Sequence, residues 1–351
     1  SKVSKVSERV LFSDFRKYKA AVILKEFRNR KKISMDKTEL FEKMPVRIAV
    51  RKQIVPAIIS QMVTLIYNLA DTYFVGLLND PAQTAAVAVA APIFLMLTAI
   101  SNLFGVGGAS TFAQALGRKE NRTASQISSI AFWFGLLASV LFAFFVLIFM
   151  RPILMVCGAT TEIYELVRSY VMWTVIIGGP GTVLNILLAN LIRGEGSAGI
   201  ASFGVSAGGF LNILLDPFFV LPQFLNMGAA GAGLATAISN LATTLFFLGY
   251  VFSSKNKTLL SVSPAHLRYT RERIGLILSI GFPSAVQYAL TVVAVAAQAK
   301  FVSRYVTEAV AGLGIVKKLD QLPLYFSIGV ANGLLPLLAY NNAAGNHERR
   351  K

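Results

Sequence analysis

The chain is predicted to be an all-α membrane protein with about eight transmembrane helices. Of its 351 residues, 55% are hydrophobic and only 15% are charged, whereas soluble domains carry about a quarter charged residues. The mean hydropathy is +0.60. The charges are gathered in short clusters between apolar runs, each long enough to cross ~30 Å of hydrocarbon as a helix. A transmembrane barrel would need alternating segments of ~10 residues, and the sequence has none.

Residues 1–47 form a basic extension, expected on the cytoplasmic side. Its apolar run Ala20-Ala21-Val22-Ile23-Leu24 is too short to span. It is either an amphipathic anchor lying on the surface or an extension without a role. Met35-Asp36-Lys37-Thr38 offers a second possible beginning, and the chain stops in a polar loop at Arg349-Arg350-Lys351, as a fragment would. Apolar runs follow at about 54–78, 84–115, 125–150, 164–192, 199–222, 228–252, 274–300 and 309–340, numbered here as spans 1 to 8.

The net charge of +17 is expected from loops rich in Lys and Arg rather than from nucleic-acid binding. Arg118, Lys119 and Arg122 follow span 2, Arg193 follows span 4, and Lys255, Lys257, Arg268, Arg271 and Arg273 follow span 6. The opposite loops are poor in base. The positive-inside rule therefore puts the N-terminus and the even-numbered connections in the cytoplasm of a multi-pass plasma-membrane (inner-membrane) protein, of bacterial type. Cys157 is the sole cysteine, which excludes an internal disulfide and a cysteine zinc site. His266 and His347 fall in connecting loops. With no nucleophile–base pair and no metal-ligand cluster in view, neither an enzyme nor a cofactor is expected.

The chain also repeats itself. Pro56 recurs as Pro283, Ala86-Val87-Ala88 as Ala309-Val310-Ala311, Phe104-Gly105-Val106 as Ile328-Gly329-Val330, and Gly117, Glu120 and Arg122 as Gly345, Glu348 and Arg350. The offset stays between 223 and 228 residues, six spans, so both copies share one orientation and a site is expected at their interface. The expected domains are a six-helix N-lobe (48–252), a cytoplasmic linker (253–272) and a partial C-lobe of two helices (273–351), with about four further spans missing.

Two acids stand inside apolar runs: Asp71 in span 1, and Asp216 in the span 5 stretch Asn212-Ile-Leu-Leu-Asp216-Pro217. A carboxylate at that depth is costly and marks a site when it faces protein or water. Asn212 and Asp216 are four apart and share one helix face. The alternative is that each acid is neutral and caps a backbone group. Pro217 and Gly178-Gly179-Pro180-Gly181 are expected to bend spans 5 and 4, as hinges or as fixed kinks. Gly105, Gly107 and Gly108 suit close helix packing. Lys317 and Asp320 are spaced to pair, either lining a cleft or snorkelling to the interface. Trp133 and Trp173 are expected in lipid or core.

These features resemble the multidrug and toxic compound extrusion (MATE) family of secondary transporters. The resemblance rests on Tyr67-Asn68-Leu69-Ala70-Asp71-Thr72, Arg193-Gly194-Glu195-Gly196, Asn212-Ile-Leu-Leu-Asp216-Pro217, Gly231-Ala-Gly-Leu-Ala-Thr236 and Tyr340-Asn341-Asn342-Ala343-Ala344-Gly345-Asn346. It implies twelve helices in two lobes, and export of organic, often cationic, drugs or metabolites driven by inward H+ or Na+. It implies a coupling-ion site at Asp71, Asn212, Asp216 and Thr236, and a drug cavity reached by Asn68, Asn185 and Asn190. Gln298 occupies the repeat position of Asp71 and is expected in the same cavity. Two carboxylates there would either hold a proton or, when ionised, join neutral oxygens around a hard cation. The rival readings are a flippase for lipid-linked oligosaccharides and an inactive fragment. Cationic residues suited to a pyrophosphate are scarce in spans 1 to 6, which disfavours the flippase.

Overall fold

The computed structural model describes residues 39–254, 258–302 and 307–350. Among these there is helix and no strand. The spans run Val46–Gly76, Pro81–Gly117, Asn121–Ile148, the pair Tyr164–Ile177 and Gly179–Gly194, Ala198–Val220, Ala229–Ser253, Thr270–Val302 and Thr307–Ala343. Among the described residues, seven helices are long and apolar enough to cross a membrane, and the bent pair makes eight. A short helix, Met150–Val156, follows span 3, and a 3-10 turn, Pro264–Tyr269, precedes span 7.

Local chemistry sets the ends and breaks. Span 2 opens on Pro81, with the Asp80 carboxylate accepting from Ala82 N at 2.9 Å, a favourable N-cap with proline in the first turn. Span 4 bends by 49° at Gly178, after a π-helical turn at Met172–Ile177. A Cβ on Gly178 would lie 2.7 Å from the Trp173 carbonyl oxygen and 2.8 Å from Ala237 Cβ, so a side chain there would collide with span 6. The bend expected at Pro217 does not interrupt span 5, whose helix continues through it to Val220. Proline three residues from a helix end disturbs only the last turn. The side chain of Lys317 and the apolar run at residues 20–24 lie outside the described residues.

Spans 7 and 8 lean on spans 2 and 1 along a seam of glycines. Gly107 faces the Ile277 carbonyl and Gly281, and Gly281 in turn faces the Leu103 carbonyl. Gly117 meets the backbone of Tyr340 and Ala344. A Cβ on Gly329 or Gly333 would come within 2.7 or 2.6 Å of the Ile58 or Ile54 Cα. Such backbone-to-backbone approach is the way apolar helices associate without a hydrophobic drive between them. Leu137, Leu141, Phe144, Phe145 and Ile148 of span 3 are exposed, as a lipid-facing stripe requires.

The end bearing the basic loops is tied down by polar contacts. Glu195 is fully buried and accepts from the Thr258 hydroxyl at 2.8 Å and from Leu259 N at 2.5 Å. The Ser129 hydroxyl donates to the Ser263 carbonyl at 2.6 Å, which fastens the span 6–7 connection onto span 3. Just before span 1, the turn Glu39–Lys43 buries Phe41, which stacks on Tyr340 of span 8 at 4.5 Å. The Tyr340 hydroxyl donates to Glu42 at 2.8 Å. The last residues of the expected extension are thus part of the packed fold.

Candidate functional site: a carboxyl pair inside the first six spans

Asp71 and Asp216 meet. Both are buried, and their carboxyl groups lie close enough to interact although they come from spans 1 and 5. One turn back along span 5, Asn212 Nδ2 donates to Asp216 Oδ1 and to the Thr236 hydroxyl of span 6, each at 3.4 Å. The four residues expected to form the ion site therefore converge from three helices. The exposed apolar faces of spans 1, 5 and 6 turn away from them, so neither acid faces acyl chains.

Gly208 and Gly209 of span 5 make the convergence possible. A Cβ on Gly209 would come within 3.0 Å of the Tyr67 ring, and one on Gly208 would strike the Thr243 hydroxyl. Their bare backbone leaves a small polar hollow of about 20 Å³ beside Asn212. It is lined by Tyr67, Asn185, Asn212, Thr236, Ser239 and Asn240, among others, all from the first six spans. A space of that size accommodates a water or a small ion. Among the described residues, no group of three or more His, Cys, Asp or Glu gathers anywhere. A metal ion at the pair would therefore rest on two carboxylates and neutral oxygens, a donor set suited to a hard cation.

Known proteins resemble the chain over most of its length. A sequence model of the MatE family matches residues 56–218. The multidrug export protein MepA of Staphylococcus aureus (strain MSSA476) is 31% identical over 301 residues, covering 86% of this chain and 66% of MepA. MepA of Staphylococcus saprophyticus is 30% identical over the same length, with the same coverage. A solved structure of a multidrug resistance MATE transporter of the MOP superfamily, in an outward-facing conformation, superposes with a TM-score of 0.81 at 25% identity, over 89% of this chain and 69% of that one. A MOP superfamily transporter from Pyrococcus furiosus, described as having a binding pocket of reverse polarity, superposes at 0.77 and 26% identity, over 89% and 68%.

The chain belongs with the MATE family. It spans 66% of the length of the curated relatives it matches.

Within this MATE chain the expected cavity residues separate. Asn185 lines the hollow and donates to Asn240 Oδ1 at 2.9 Å, so it sits inside the six-span bundle with the ion-site residues. Asn190 instead accepts from the buried Arg193 guanidinium at 3.3 Å, which also donates to Ser60 of span 1 at 3.2 Å. Asn190 follows Asn185 by about 1.4 helical turns, which sets the two side chains on different faces of span 4. Asn68 reaches across to span 8, donating to the Tyr325 hydroxyl at 3.2 Å. Gln298 is exposed on span 7 and does not line the hollow.

Ser239, Asn240 and Thr243 escaped the sequence reading, and Tyr67 entered it only within the span 1 motif, although all four line the hollow. A signal existed: Thr236, Ser239, Asn240 and Thr243 recur at spacings of three and four, a polar stripe on an otherwise apolar helix.

Proposed function

We propose that the chain belongs to a secondary antiporter that exports organic, often cationic, compounds in exchange for inward H+ or Na+. The observation that carries this reading is the contact of the Asp71 and Asp216 carboxyls, buried where an unpaired charge is expensive. Like charges that close cannot both stay ionised without a counter-ion, so the pair takes up a proton or a small cation. Asn212 and Thr236 hold the geometry, and their oxygens complete the coordination of a metal cation. The printed name of MepA, a multidrug export protein, supports drugs as the cargo.

The basic end is cytoplasmic by the positive-inside rule. The first six spans form one lobe, and spans 7 and 8 begin a second. The glycine seam and the Phe41–Tyr340 stack join the two toward the basic end, and alternating access requires that junction to part. The carboxyl pair also counts against a flippase, whose pyrophosphate cargo needs cations at the site.

The test is efflux of a fluorescent organic cation from vesicles carrying an imposed pH or sodium gradient. Asp216→Asn is expected to abolish gradient-driven efflux while the protein stays in the membrane. Unchanged efflux would remove the coupling role from the pair.

A further inference from the structure

We propose that the hollow beside the carboxyl pair is a second cation station, built of neutral oxygens and suited to an alkali cation of sodium size. This rests on the antiporter reading above and extends it to a site one step removed from the acids. Three buried acceptor atoms on the hollow's lining residues have no donor: Asn185 Oδ1, Asn212 Oδ1 and Ser239 Oγ. Buried polar atoms are paired as a rule, and several orphans around one cavity point to a ligand.

The two amide orientations follow from their partners. Asn212 faces a carboxylate and a hydroxyl with its nitrogen, which turns its oxygen away from both. Asn240 donates to the Thr182 hydroxyl at 2.9 Å and accepts from Asn185 Nδ2, which leaves the Asn185 oxygen over. Flipping Asn212 would set its oxygen against a carboxylate, and flipping Asn185 alone would set its oxygen against Asn240 Oδ1. The Thr243 hydroxyl donates to the Ser239 carbonyl at 2.9 Å, so its lone pairs are available on the same wall. The result is a cluster of oxygens presenting lone pairs, the chemistry that receives a hard cation.

Its position gives it a direction. Val205 and Gly208 on span 5, and Ser239 and Thr243 on span 6, all lie nearer the basic-loop end than Asp216 and Thr236 do. Asn212 belongs to both places, since it touches Asp216 and lines the hollow. A cation leaving the carboxyls toward the basic end passes Asn212 and next meets these oxygens, about one helical turn (~5.4 Å) further on. All the lining residues are in the first six spans, so this step stays inside one bundle and apart from the seam between spans 1 and 2 and spans 7 and 8. Apart from the phenol of Tyr67 the lining has no titratable group, so the station holds an alkali cation rather than a proton.

The test uses the full chain in lipid nanodiscs, titrated with NaCl against choline chloride at constant ionic strength and pH, with binding read by calorimetry and by the rise in Tm. Ser239→Ala removes one orphan oxygen, and Asp216→Asn disables the acid pair. Sodium binding is expected to weaken about tenfold in Ser239→Ala, which is 1.4 kcal/mol, and to persist in Asp216→Asn. If Ser239 is only an orphaned hydroxyl, its removal leaves sodium affinity unchanged, and the proposal falls. Loss of binding in both variants would merge the two places into one site and also overturns it. Absence of any sodium response in the parent chain, or the presence of a water only, does the same. The antiporter reading fails separately, when Asp216→Asn still exports.

Discussion

The hollow and the glycine seam are built from the same residue classes of apolar helix, and they differ in what they leave unpaired. In the hollow, glycines at 208 and 209 clear space, and side-chain oxygens project into it without donors. In the seam, glycines at 107, 117, 281, 329 and 333 clear space, and the facing backbone fills it. A gap filled by backbone is packing, while a gap lined by unsatisfied oxygens is a place for a ligand. Glycine content alone does not distinguish the two.

Four substitutions and one control press on that difference. The largest effect is expected at the acids. Asp71→Asn should lower gradient-driven export by on the order of a hundredfold without lowering Tm, because an intramembrane acid serves function at the expense of stability. A large fall in Tm instead would make the carboxyl pair structural, like the seam. Gly281→Leu should show the reverse signature. Its side chain drives into the Leu103 backbone, and overpacking of this kind costs about 1–3 kcal/mol or more, visible as a lower Tm and less folded protein. Gly275→Leu, on the same helix with open space around it, is the control and should leave Tm within about a degree or two.

Smaller effects separate the fastenings around the two regions. Glu195→Ala strands the Thr258 hydroxyl and Leu259 N, and should destabilise by about 1–3 kcal/mol, measured by thermal unfolding in detergent. The smallest effect is expected at Tyr325→Phe, which removes the hydroxyl that receives Asn68. A net loss of about 1 kcal/mol is expected. Export altered far more than stability would show that the contact between span 1 and span 8 carries information from the ion site to the seam.

The legible part of this protein lay in features that are costly wherever they occur. Asp71 and Asp216 declared themselves because an acid in an apolar run needs a reason, and the structure brings them together. Gly178-Gly179-Pro180-Gly181 announced the bend of span 4 because proline and glycine act on the local backbone. Ser239 and Thr243 stayed hidden because hydroxyls in apolar helices commonly satisfy themselves on a carbonyl one turn back, as Thr243 does. Phe41 stayed hidden because a single aromatic in a basic extension has no local signature, and its value comes from Tyr340, some 300 residues away.

By itself the sequence determined that the chain crosses a membrane as helices, and which acids lie at depth. Both follow from composition over a window of about 20 residues, where the cost of exposing a polar group to hydrocarbon is additive and local. Only the tertiary structure decided that Asn185 joins Asn240 at the hollow while Asn190 turns to Arg193, and that Gln298 stays outside it. Those outcomes depend on how far each helix is rotated and tilted. That is set by glycine contacts between helices distant in sequence, and no window along a single helix contains them.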